Sequence, residues 1–182
     1  MSLRRPSREE IAAARGRTVP DVIAPDLRIL FCGINPGLYS GATGWHFARP
    51  GNRFWQALHG AGLTDRVLAP WETTDVLGAG LGITNLVERA TTAAAELSAG
   101  ELRAGAVRLE AVAVRYRPAT VAVVGISAYR IAFDRPTATL GPQPERIGPS
   151  RLWVLPNPSG LNAGYQLPAL VAEFRRLREA LP

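Results

Sequence analysis

The sequence predicts an α/β protein of three layers, with helices on both faces of a central, mainly parallel sheet of about four to five strands. Three observations carry this. Short apolar runs alternate along the chain with segments of helical period, an order that implies right-handed crossovers between parallel strands. The run Thr120-Val-Ala-Val-Val-Gly125 is continuously apolar after its first residue, as a strand covered on both faces must be. Finally, the runs Arg28-Ile-Leu-Phe-Cys-Gly33 and Leu152-Trp-Val-Leu155 both stop shortly before an Asn-Pro turn, at Asn35-Pro36-Gly37 and at Asn157-Pro158-Ser159-Gly160. Proline supplies no ladder donor, so each strand ends by presenting an asparagine.

Taken in order, residues 1–23 carry Arg4, Arg5, Arg8, Arg15 and Arg17 among Ala, Pro and Gly, and Ser7 with Glu10 forms a capping box for a short helix. The stretch reads as a basic arm, either solvated or lying along a phosphate backbone, and Glu9 and Glu10 argue against a transit peptide. Residues 24–182 form the domain. After the first strand, Leu38 to Gly51 reads as a polar, glycine-rich loop whose Tyr39, Trp45, His46 and Phe47 either build a small core of their own or stack on a ligand. Phe54, Trp55 and Leu58 then recur at a helical period closed by Gly60 and Gly62. His59 sits near that helix end, where packing or macrodipole compensation suits it better than catalysis.

Gly80-Leu-Gly-Ile-Thr84-Asn85-Leu-Val is the second strand-like run. Ser98 with Glu101 caps the next helix, whose Leu102, Leu109, Val112 and Tyr116 share one face while Arg103, Arg108, Arg115 and Arg117 stay polar. Pro118 stops it before the Thr120 strand. A short helix from Ser127 to about Phe133 leads into a proline-rich loop from Pro136 to Pro149. The last strand, the Asn157 turn and a closing helix from about Leu167 to Leu181 complete the chain, with Arg175, Arg176 and Arg178 exposed.

Composition excludes several chemistries. A chain of 182 residues buries most of itself as one domain without disulfides, and Cys32, inside an apolar run, reads as a small buried hydrophobe. One cysteine and two histidines offer no metal-ligand spacing, so neither metal nor cofactor is expected. The net charge of +6 favours a polyanionic partner. All 21 basic residues are arginine, which rules out a side-chain Schiff base and a phosphate-loop lysine. The absence of a long apolar stretch or signal pattern points to a soluble protein of a reducing, intracellular compartment with no membrane partner.

In an open parallel sheet, ligands bind beyond the carboxyl ends of the strands. The groups delivered there are Asn35, Thr84 or Asn85, Gly125 to Ser127, and Asn157 to Leu161. They are amides, hydroxyls and glycine backbone, with no Ser-His-Asp set, no carboxylate pair and no dinucleotide fingerprint. Such a site hydrogen-bonds and encloses a planar polar ligand.

Four blocks in order, Gly33-Ile-Asn-Pro-Gly37, Thr43-Gly-Trp-His-Phe47-Ala-Arg-Pro-Gly-Asn-Arg-Phe-Trp55, Gly82-Ile-Thr-Asn-Leu-Val-Glu-Arg89 and Asn157-Pro-Ser-Gly-Leu161, resemble the mismatch-specific uracil-DNA glycosylase and thymine-DNA glycosylase family. The likeness runs from about Ala24 to the C-terminus. It implies a uracil-DNA glycosylase-like fold and hydrolysis of the base-sugar bond of uracil, especially opposite guanine, and of other modified pyrimidines, after the nucleotide is flipped from the duplex. The partner implied is double-stranded DNA carrying uracil or a mismatched pyrimidine, met by a monomer, with activity in the cytoplasm on a bacterial nucleoid. The competing readings are a nucleoside or nucleotide hydrolase and a non-catalytic reader of damaged DNA.

By the resemblance, Asn35 positions the attacking water, and Gly33, Ile34, Phe47, Asn85 and Asn157 form the base pocket, with Phe47 stacking on the base. Ser159, Gly160, Leu161 and Asn162 form the wedge and DNA contacts. Leu161 plugs the vacated stack, and Gly160 and Asn162 address the widowed guanine. Ala163 stands where bacterial relatives often have Arg, which implies fewer contacts to the widowed strand. Asn85 stands where bacterial relatives have Lys. Asp75 and Glu88 are the carboxylates that could assist Asn35.

Overall fold

A computed structural model describes residues 4–182, so Met1 to Leu3 of the basic stretch lie outside it. Five strands form one sheet: β1 (Ile29–Gly33), β2 (Leu81–Asn85), β3 (Thr120–Val124), β4 (Gly141–Ile147) and β5 (Ser150–Leu155), in the order β2-β1-β3-β5-β4. The first four in that order are parallel, and β4 runs antiparallel to β5 at the edge. The predicted three-layer fold is the one observed.

The layers follow from residue parity. Every residue of β1, β2 and β3 is buried, as strands covered on both faces require. Successive side chains point to opposite faces. Ile29 and Phe31 therefore join Leu58 of α3 (Phe54–Gly60) and Phe174 of α7 (Leu167–Glu179) in one half of the core. Leu30 and Cys32 join Leu109 of α5 (Ala99–Tyr116) and Tyr129 of α6 (Ile126–Ala132) in the other. The Cys32 thiol is fully buried and pushed far up by that burial, which makes it a small hydrophobe as expected.

Both predicted capping boxes form, at Ser7 with Glu10 on α1 (Arg8–Ala12) and at Ser98 with Glu101 on α5. Three expectations are corrected. The glycine-rich stretch after β1 is not all loop, because Leu38–Thr43 forms a short helix, α2, closed by Gly44 at φ 76°. The proline-rich segment contains β4. Pro142 and Pro144 are tolerated there because β4 is an edge strand with a register shift between Pro142 and Arg146. Finally, much of the N-terminal stretch is docked. Ala14, Val19 and Val22 are buried, Gly16 N–H donates to Ala90 O and Ala90 N–H to Arg17 O, and Val22 exchanges backbone hydrogen bonds with Ile83. Arg4, Arg5, Arg8, Arg15 and Arg17 remain exposed.

A helix α4 (Thr73–Gly78) precedes β2. No helix among the described residues is long and apolar enough to cross a membrane. The interior layer facing α3 and α7 is aromatic. Phe31 stacks on Phe174 with centroids 5.8 Å apart and meets Phe54 edge-on at 5.3 Å. Phe174→Ala is expected to lower the unfolding free energy by about 3–5 kcal/mol, measured as a drop in denaturant midpoint at unchanged m-value.

Candidate active site

The parallel pairing of β1 with β2 continues past the strand ends. Leu86 N–H donates to Gly33 O, Val87 N–H to Ile34 O, and Thr91 N–H to Pro36 O, so the two loops are zipped together beyond the sheet. A cleft of about 270 Å³ opens there, lined by Asn35, Phe47, Asn85, Thr91, Asn157 and Leu161 among others. Its lining contains no Asp or Glu, and Arg49 is its one charged residue among those described. No group of His, Cys, Asp and Glu able to hold a metal ion occurs among the described residues.

Asn35 is oriented from its amide nitrogen. Nδ2 donates to Arg89 O at 3.0 Å, to Thr91 Oγ1 at 2.8 Å and to Pro36 O at 3.2 Å. Two of these partners are backbone carbonyls, which only accept, so the opposite rotamer would set oxygen against oxygen. Thr91, 1% exposed, passes its own proton to Ala93 O and is thereby left to accept from Asn35. Asn35 Oδ1 accepts no hydrogen bond from the described residues and remains for a ligand or a water.

Gly33, expected in the pocket, is buried at the end of β1 and does not itself line the cleft. A Cβ there would lie 2.5 Å from Asn85 Oδ1 and 3.4 Å from the Phe47 ring, so only glycine lets these side chains close together. Phe47 stacks one face on Phe54, with centroids 4.0 Å apart and planes at 21°, and lines the cleft while half buried. It is held at φ 49°, a left-handed backbone that costs a phenylalanine on the order of 1–3 kcal/mol. Such strain persists only where surrounding packing imposes it, here the aromatic layer beneath. Asn85 is buried. Its Nδ2 lies 3.3 Å from His46 Nδ1, while His46 Nε2 lies 2.8 Å from Pro20 O. Burial holds the His46 titration below its ordinary value, against the opposing pull of the Pro20 carbonyl and Asp21.

The second Asn-Pro turn closes the cleft from the β5 side. Asn157 Oδ1 accepts from Ser159 N–H at 2.9 Å, and Asn162 Nδ2 donates to Asn157 O at 2.9 Å. Asn162 Oδ1 accepts from Gly164 N–H, so both ends of its side chain serve the loop, each with one hydrogen-bonding position left over. Gly160 packs against another backbone: a Cβ would stand 2.7 Å from Gly51 O. Leu161 stands 76% exposed at the tip, the most exposed large hydrophobic side chain among those described. A side chain so placed gains only when something apolar covers it.

Arg53, inside the block from Thr43 to Trp55, ties this loop to α3. Nη2 donates to Ser159 O at 2.5 Å and Asn162 O at 2.9 Å, Nη1 reaches Gln166 Oε1 at 3.3 Å, and its backbone N–H donates to Pro158 O. Sequence reasoning gave Arg53, Thr91 and His46 no such roles. All three lie in or beside the quoted blocks, but nothing local names their partners. Arg108, expected on the polar face of α5, instead folds in to donate to Asn85 O and faces Asp21 and Glu88.

Other expected groups lie elsewhere. Thr84 is fully buried, so Asn85 and not Thr84 reaches the cleft. Gly125 to Ser127 line a neighbouring cavity with Ile34, Asn157 and Leu161. Asp75 pairs with Arg66 at 3.2 Å and Glu88 with Arg108 at 3.7 Å, and neither lines the cleft. His59 is exposed with Nδ1 3.2 Å from Thr64 O. Replacing Arg53 by Met removes the three guanidinium bonds and keeps the stem. Amide exchange at Asn162, whose N–H donates to Ser159 O, is expected to quicken about tenfold or more while β3 amides stay protected.

Comparison with known proteins bears on the fold and the family. The solution NMR structure of a candidate uracil DNA glycosylase from Methanosarcina acetivorans superposes with a TM-score of 0.56 at 16% identity, over 90% of this chain and 98% of that one, a likeness of fold. The model of the uracil DNA glycosylase superfamily matches residues 20–181. A match that spans nearly the whole chain makes this protein a member of the uracil DNA glycosylase superfamily, hydrolases of DNA base excision repair.

Proposed function

We propose that the chain is a monofunctional uracil-DNA glycosylase of the mismatch-specific and thymine-DNA glycosylase type, acting on uracil opposite guanine. The observation that carries the reading is Asn35: its amide nitrogen is fully engaged by Arg89 O, Thr91 Oγ1 and Pro36 O, and its free oxygen belongs to a cleft without a carboxylate. A nucleotide flipped into the cleft would lay its base on the open face of Phe47, an interaction worth about 1–3 kcal/mol. Asn35 Oδ1 would hold a water at the anomeric carbon. An amide oxygen accepts a hydrogen bond but does not remove a proton, so the base-sugar bond must break largely ahead of attack. The water then adds to the anomeric carbon and its proton passes to solvent or to the departing base. Catalysis therefore rests on placement more than on acid-base power.

Leu161 supports the same reading, since an exposed apolar tip beside the cleft suits the gap left by a flipped nucleotide. Flipping costs a few kcal/mol, least at a mismatch, which favours mispaired uracil. With no lysine in the chain, no side-chain amine is present to cleave the abasic product by β-elimination.

Excision from an oligonucleotide, followed by alkaline cleavage, tests the proposal. Asn35→Ala is expected to slow release of uracil by at least about a hundredfold while leaving affinity for the same duplex nearly unchanged. Full activity in that variant sinks the assignment. Hydrolysis of free nucleosides instead favours the nucleoside hydrolase, and binding without cleavage favours the non-catalytic reader. Ala163 is exposed just after Leu161, and Ala163→Arg is expected to raise the preference for uracil opposite guanine over adenine by roughly tenfold in single-turnover rates.

A further inference from the structure

We infer that the protein carries a second ligand site, at the end of the sheet opposite the cleft, for a small carboxylate with an apolar body. The inference is independent of the glycosylase reading. It rests on a row of side chains that the pairing of β3, β5 and β4 sets next to one another.

Thr120 opens β3 and pairs with Arg151 near the start of β5, and Arg151 pairs in turn with Arg146 of β4. Paired residues share a face, so a hydroxyl and two guanidinium groups stand in one line across three strands. By the same registers, the next row on that face is Ala122, Trp153 and Pro142. Trp153 belongs to the core half built with α3 and α7, so the arginines leave the sheet on the α7 side. There α7 has run out: it ends at Glu179, and Ala180 and Leu181 wall the space beside the row without filling it. A cavity of about 440 Å³ remains, lined by Arg146, Arg151, Thr120, Trp153, Leu177 and Leu181 among others. That volume is in the range of small-molecule sites.

The charges in this row do not suit an empty cavity. Like charges directly opposite each other on a sheet repel, and a carboxylate between them would relieve the repulsion. Among the described residues none does so. Arg146 donates to Pro149 O and Arg151 Nη1 to Ala180 O at 3.2 Å, which leaves most of the five N–H donors of each guanidinium unspent. Glu145 borders the cavity too, but it precedes Arg146 by one residue and so leaves the strand by the opposite face. There it accepts from Arg135 Nε at 2.7 Å and from the Tyr129 hydroxyl. Trp153 adds a second deficit: it is 7% exposed, and its indole N–H has no partner among the described residues.

Two spare guanidinium groups bind a carboxylate strongly because their N–H pairs match its two oxygens. The walls of Trp153, Leu177 and Leu181 suit an aryl or alkyl body attached to it. Arg151 and Leu155 lie at opposite ends of β5, on the order of 13 Å apart, so this site and the cleft take separate ligands.

The probe is 3-phenylpropionate, titrated into the ¹⁵N-labelled full chain, with 3-phenylpropionamide and inorganic phosphate in parallel. Saturable shifts are expected at the Thr120, Arg151 and Trp153 amides and at the Trp153 indole signal, with a Kd of about 1 mM or tighter. The amide lacks the charge and phosphate lacks the apolar body, so each is expected to bind at least about tenfold more weakly. Arg151→Met and Arg146→Met keep the stems and lose the guanidinium groups. Each is expected to weaken binding of 3-phenylpropionate by about tenfold while the spectrum away from this face stays that of the wild type. Equal binding of acid and amide, shifts confined to other parts of the molecule, or affinity unchanged in both variants overturns the inference. So does phosphate binding as tightly as the acid, or no saturation at about tenfold higher concentration. Should Arg151→Met fail to fold, Arg146→Met on the edge strand and the comparison of acid with amide decide.

Discussion

Parallel pairing of β1 with β2 is the constraint on which the site depends. In a parallel ladder the two carboxyl ends coincide, so the turn after β1 and the loop after β2 must leave the sheet side by side. Here they stay bonded, through Gly33, Ile34 and Pro36 carbonyls, for several residues beyond the last strand position. That extension brings Arg89 O and Thr91 Oγ1 to Asn35 and sets Asn85 across from Gly33. An antiparallel or shifted register would bring different residues to those places.

The cleft that results works by fixing the ends of amides. Asn35 and Asn85 each have a nitrogen engaged on the protein side, at Arg89 and Thr91 in one case and at His46 in the other. Asn35 therefore offers its oxygen to the cleft. Amides and an aromatic face, with Arg49 the one charged residue in the lining, make an environment that orders a polar planar ligand and a water without supplying a base. The aromatic layer under Phe47 and the Arg53 tie on the Ser159 loop supply the rigidity such placement needs.

Strain and exposure fall at the same place. Phe47 has a left-handed backbone and Leu161 leaves an isobutyl group in water. Both are unfavourable in the free protein, and both lie in the lining of the cleft. Asp26, Arg117 and Asp134 share the left-handed backbone and Val107 the exposure, but none of these lines the cleft.

Much of this was legible in the residues themselves. Continuous apolar runs gave the strands of a covered sheet, serines with glutamates gave helix starts, and Asn-Pro turns gave the strand ends, because these signals act within a few residues of one another. The β4 edge was not legible. Its prolines and polar residues carry no strand pattern, and it exists because β5 offers an open edge to pair with. The docking of residues 14–22 was hidden for the same reason, since its partners are Ala90 and Ile83. Which chemical groups stand at the strand ends follows from the residues alone: an asparagine before each proline, a glycine ending β1, an apolar tip. Tertiary structure alone decided which end of each amide faces the cleft and which neighbour holds it. Those choices depend on hydrogen bonds between residues such as Asn35 and Thr91, His46 and Asn85, or Arg53 and Ser159, which meet only once the sheet has formed.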